Sequence, residues 1–125
     1  MISEMPSIKV ALSDSFLDQF NCQDSVTQKR AAAFIRAKKH GNKLIGKDKA
    51  SGFEPDGKTV KCQEYVDLKL RHYHINQKTM DPILVYQDLL STPDNALWLL
   101  CFASHKEMFG NTKEFLTKYD EDIVK

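Results

Sequence analysis

Apolar and polar residues alternate over Ile8-Lys9-Val10-Ala11-Leu12 and the pattern stops at Ser13, which predicts a short first strand. Ser13 or Asp14 can then cap a helix whose apolar positions Phe16, Leu17 and Phe20 share one face and which closes at Asn21. Asp24 or Ser25 caps a second helix through about Lys39, with Val26, Ala33, Phe34 and Ala37 inward and Lys29, Arg30, Arg36 and Lys38 outward. Gly41 is its natural stop.

Over residues 41–58 the period is lost. Gly46, Gly52, Gly57 and Pro55 punctuate a stretch rich in Lys and Asp, which predicts a long basic loop or a poorly ordered hairpin. Four short apolar runs follow, at about 59–66, 68–75, 83–87 and 97–103, each a strand candidate. Ser91-Thr92-Pro93-Asp94-Asn95 supplies turn chemistry between the last two. A final helical segment starts near Ser104 or Lys106 and runs through Phe115, Leu116 and Tyr119 to Ile123, with a break at Gly110. Strands joined by short connections pair antiparallel, so the expected class is α+β: a first strand and two helices packed on an antiparallel sheet of about four strands, then a C-terminal helix.

Length agrees with one domain spanning 1–125, its first six residues flexible. With 42% hydrophobic and 28% charged residues, the chain is expected to fold rather than stay disordered. No apolar run nears the length of a membrane span, and the start lacks the basic and apolar regions of a signal peptide. No membrane partner is expected, and the expected location is cytoplasmic. Cys22, Cys62 and Cys101 are odd in number and form no Cys-x-x-Cys pair, so three reduced, mostly structural thiols are expected, Cys101 in the core.

The formal net charge of +1 hides an asymmetry: residues 29–71 hold twelve Lys or Arg against five acids, and the remainder is acidic. A local basic surface is what a phosphate backbone requires, although such a run is also compatible with a solvated face that has no partner.

Three of the four histidines lie in the C-terminal half, within Arg71-His72-Tyr73-His74 and at His105. On a strand, His72 and His74 point to one side, with Arg71 and Tyr73 on the other unless a bulge re-aims them. His105 can lie beside His74 if their strands are near neighbours. Two imidazoles flanking a phosphate can serve as acid and base, and a guanidinium can hold the phosphate. His-x-His with Asp81 or His105 is also a legitimate ligand set for zinc or iron, but spacing does not settle the third ligand. Trp98 and Phe109 read as core residues, with Phe109 alternatively able to stack on an exposed base.

Arg71-x-x-His74, the run Asp81-Pro82-Ile83-Leu84-Val85-Tyr86 and the segment Ser104-His105-Lys106-Glu107-Met108-Phe109-Gly110 together resemble the RelE superfamily of bacterial toxins, most closely its YafQ branch. The opening strand and two helices match by arrangement. The resemblance implies a toxin of a type II toxin-antitoxin system: an mRNA interferase that cuts mRNA on the ribosome and is neutralised by a cognate antitoxin. It implies His74, His105, Asp81 and Arg71 as catalytic residues, with Phe109 and His72 contacting RNA. A basic platform is expected from Lys38, Lys39, Lys43, Lys47 and Lys49. The implied chemistry is attack of a 2′-hydroxyl on the adjacent phosphate, with no cofactor and no metal. Three departures stand out: three extra residues separate His74 from Asp81, the branch's histidine in the loop before the second strand has no counterpart nearer than His40, and His72 stands where an acid is usual. A ParE-like gyrase-inhibiting toxin, which needs no histidines, and a diverged, non-catalytic RNA- or antitoxin-binding domain are the alternatives.

Overall fold

A computed structural model of the chain describes residues 8–40, 48–50, 63–76 and 81–125, the segment 48–50 through its backbone. The order is β1 (Lys9–Leu12), α1 (Asp14–Cys22), α2 (Ser25–Lys39), β2 (Asp48–Ala50), α3 (Gln63–Asp67), β3 (Leu70–Tyr73), β4 (Ile83–Asp88), β5 (Ala96–Ala103), α4 (His105–Gly110) and α5 (Thr112–Lys118). The α+β class is as expected. The strands form one five-stranded sheet in the order β1-β5-β4-β3-β2.

Pairing is antiparallel from β2 through β5, but β1 lies parallel to β5, so the sheet is mixed where an antiparallel one was expected. The reason is connectivity: β1 leads into two helices rather than a hairpin, and it meets β5 only after the chain has built the other strands. A second departure lies at 59–66, where the part that is described forms the short helix α3 in place of a strand. This helix buries Tyr65, whose hydroxyl donates to the Met108 carbonyl, and leaves Val66 exposed. Lys69, at φ 58°, turns the chain into β3. The remainder of that run, most of the basic loop and the first six residues lie outside the described residues; within the loop, β2 pairs with β3.

Each sheet face carries its own core. On one face Phe16, Ala31 and Phe34 from α1 and α2 pack on Tyr73, Leu84, Tyr86, Leu97, Leu99 and Phe102. On the other, Leu70, Ile83, Val85, Leu100 and Cys101 pack under Tyr65, Met108, Phe115, Tyr119 and Ile123. The helical expectations are corrected in phase: α2 buries Thr27, Ala31 and Phe34, while Val26 and Ala33 are exposed, as is Leu17 on α1. Four-residue and three-residue steps from Thr27 keep one stripe on the sheet, and Val26 falls beside it.

A bulge resets β5. Val85 pairs with Cys101 but Tyr86 with Leu99, so Leu100 is the extra residue, and Leu100 and Cys101 both join the same core. The Ser13 hydroxyl caps α1 by accepting from Phe16 N–H at 3.0 Å and donates to the Leu100 carbonyl at 2.6 Å. Further along, where β1 has ended, the Gln19 side-chain oxygen accepts from Phe102 N–H at 2.7 Å. Two polar side chains of α1 and its cap thus satisfy backbone groups that the parallel neighbour is too short to reach.

The C-terminus is fastened in the same manner. Buried Gln87 donates to the carbonyls of Leu68 and Val124, at 2.9 and 2.8 Å, and accepts from Val124 N–H at 2.9 Å. Trp98 Nε1–H donates to the Asp122 carbonyl at 2.6 Å. The helical break foreseen at Gly110 falls one residue on, where the Asn111 side chain caps α5.

Candidate functional site: a histidine cluster at one end of the sheet

Because β3 and β5 both run antiparallel to the strand between them, their C-terminal ends lie at the same end of the sheet, beside the start of β4. Three segments far apart in sequence converge there. The end of β3 brings His72 and His74, the approach to β4 brings Asp81, and the first turn of α4 brings His105.

The Ser104 hydroxyl accepts from Glu107 N–H while the Glu107 carboxylate accepts from Ser104 N–H, a reciprocal capping box that holds the first turn of α4. His105 is the first residue of that helix, so its backbone position is set by the cap. One Asp81 oxygen, Oδ1, accepts both the His105 backbone N–H and the ring Nδ1, each at 2.8 Å. An ionised carboxylate can only accept, so His105 Nδ1 carries the proton in this contact. On the far side of the ring, Nε2 lies 3.0 Å from Nε2 of His74. Burial alone would raise the Asp81 pKa; the hydrogen bonds from the His105 backbone and ring, with charge on His105 and His74, outweigh it and hold the carboxyl below its ordinary value.

His72 is buried on the same face, its ring centre 4.9 Å from that of His74 and 5.8 Å from that of His105. Phe109, on the next turn of α4, meets the His72 ring edge-on at 5.1 Å and lies nearly parallel to the His105 ring at 6.2 Å. It is partly buried, with Tyr65 against its other side. Asp81 reaches His105 despite its lengthened spacing from His74, and it is exposed at the rim.

Arg71 is not part of this group. Strand alternation turns it to the opposite face, and it lines a depression with Lys69, Asp88 and Ser91 instead. Lys38 also sits on the α2 side, its ammonium 5.6 Å from the ring centres of both Phe34 and Tyr86. Lys39 is exposed at the end of the same helix. The expected basic platform is therefore not gathered around the histidines among the described residues. Lys43 and Lys47 lie outside these residues, and Lys49 is placed by backbone register opposite His72. Lys106, which the sequence reading passed over, is exposed in the first turn of α4 next to His105; its place inside the Ser104–Gly110 segment was the available signal.

Cys101 is buried, and burial drives its thiol pKa far upward, only partly offset by a hydrogen bond with Tyr119. It is a core residue, as expected. Cys22 is exposed, and Cys62 lies outside the described residues.

No described helix is long and apolar enough to cross a membrane. Comparison of the chain with protein-family profiles, with curated proteins and with solved structures gives no match.

Proposed function

We propose that the chain is a RelE-like toxin that cleaves mRNA through His74 and His105. The observation that carries this reading is the line Asp81–His105–His74, in which a carboxylate orients one imidazole and that imidazole meets a second at 3.0 Å. A hydrogen bond at that distance needs a proton on one of the facing nitrogens and a lone pair on the other, so one ring is set to give a proton and the other to take one. When a scissile phosphate takes the place of this contact, one ring removes the proton of the 2′-hydroxyl. That oxygen attacks the adjacent phosphorus, the bond to the 5′-oxygen breaks, and the other ring gives the leaving oxygen its proton. The products are a 2′,3′-cyclic phosphate and a 5′-hydroxyl.

Asp81 acts as a positioning residue: by accepting from His105 Nδ1–H it holds the tautomer whose Nε2 faces His74. Phe109 offers a partly exposed ring beside the imidazoles on which an unstacked base can lie. Lys106 is the candidate for phosphate contact on this side.

The test is to incubate the protein with translating ribosomes and map message ends by primer extension. Cuts with cyclic-phosphate ends that disappear in His105→Ala support the reading; intact messages in the presence of folded protein overturn it. A toxin also calls for an antitoxin, so co-expression of a small protein from a neighbouring reading frame is expected to restore growth.

A further inference from the structure

The three histidines suit a metal ion as well as a proton. We propose that His72, His74 and His105 form a binding site for a divalent borderline transition metal of the zinc class, with Asp81 as the carboxylate that orients one ligand.

One ring nitrogen from each histidine lies within 4.8 Å of the corresponding nitrogens of the other two. A tetrahedral ion with metal–nitrogen bonds of about 2.0–2.1 Å places its ligand nitrogens roughly 3.3 Å apart and the ring centres roughly 5.2 Å apart. The ring centres here stand 4.9, 4.9 and 5.8 Å apart, close to that spacing. The His74 and His105 nitrogens, at 3.0 Å, need to open by a few tenths of an ångström, and the widest pair needs to close by side-chain rotation. The protonation pattern fits too. With Nδ1–H of His105 donated to Asp81, its Nε2 lone pair faces inward, and a carboxylate on the outer nitrogen is the usual support of a metal-bound imidazole.

Ligand chemistry sets the class of ion. Three neutral imidazoles suit zinc, cobalt, nickel or copper and do not suit calcium or magnesium, which require oxygen. His74 and His105 are partly exposed, so a fourth position faces solvent and can hold water.

Metal and substrate proton would compete for the same nitrogens. If the chain cleaves RNA as proposed above, stoichiometric Zn²⁺ therefore inhibits it; this consequence rests on that reading, whereas binding does not.

The test uses Co²⁺ as the probe, titrated into the full chain and followed by its visible absorption. One equivalent giving the bands of a four-coordinate ion, displaced by Zn²⁺, is the expected result. His105→Ala and His74→Ala are expected to abolish the bands, and Asp81→Asn, which keeps the three ligands, to weaken affinity by about 10–100-fold. His105 and Asp81 lie at the surface end of the cluster, so these variants remain informative if substitution of buried His72 prevents folding. Absence of the bands, or bands unchanged in the folded His74→Ala and His105→Ala proteins, overturns the site. Co²⁺ binding here by a protein that cuts no RNA upholds the metal site and sinks the nuclease reading; cleavage by a protein that binds no Co²⁺ does the reverse.

Discussion

His74 and His105 are 31 residues apart in the chain, on segments that flank β4 without pairing with each other, yet their Nε2 atoms lie 3.0 Å apart. A contact at that separation needs a proton on one nitrogen and a lone pair on the other, and both the proposed cleavage and the proposed metal site draw on this pair.

Removing one of them is the most direct probe. His105→Ala removes the ring contacts to both Asp81 and His74 while leaving the backbone bond to Asp81 and the capping box of α4 in place. Cleavage of ribosome-bound message is expected to fall by about 10²–10⁴-fold, the usual contribution of a general acid or base. Thermal melting should stay close to that of the parent protein, which separates loss of chemistry from loss of fold.

Asp81→Asn should behave differently, because an amide oxygen can still accept from the His105 backbone but can no longer stabilise a charged ring. A smaller loss of cleavage than in His105→Ala is expected. The carboxyl is held below its ordinary value in the folded chain, so it contributes stability above that value and loses the contribution as pH falls through the folded one. The parent protein should therefore exceed Asp81→Asn in unfolding free energy at neutral pH, by less than about 1 kcal/mol for so exposed a group. The gap should narrow as pH falls below about 4, the ordinary carboxylate range, toward the lower folded value. Urea melts at pH 7 and pH 3 measure both.

Gln87 makes three hydrogen bonds from a fully buried position and ties the chain end to the sheet. Gln87→Leu strands the Val124 N–H and the carbonyls of Leu68 and Val124. A loss of about 1–3 kcal/mol in stability is expected. Amide exchange should accelerate first at Val124, which a uniform destabilisation of the fold would not produce.

Cys22 and Cys101 should part company under alkylation. Cys22 is exposed and should react with iodoacetamide in the native protein, whereas Cys101 is buried with its thiol held protonated and should react only on unfolding. Peptide-level mass spectrometry reads the two sites separately. Rapid native labelling of Cys101 would show that the core around β5 opens easily.

Local rules were enough for the elements whose pattern is local. The alternation at residues 8–12, the caps at Ser13 and Asp24, the turn at 91–95 and the break near Gly110 all lie within a few residues of the groups that cause them. Strand alternation likewise foretold that His72 and His74 share a side and that Arg71 faces away, although the resemblance placed Arg71 near the phosphate. What lay beyond a sequence reading was decided by partners distant in the chain. The parallel seating of β1 depends on β5, the helical state of α3 on burying Tyr65 under Met108, and the phase of α2 on which stripe the sheet covers. Asp81 shows the difference most clearly. Counting residues from His74 set it apart from the family spacing, but its partner is His105, and that contact exists because antiparallel pairing brings the start of β4 to the end of β5. Residue types and periodicity determined which chemistry this chain can carry; only the sheet, through long-range pairing, decided which of those residues meet.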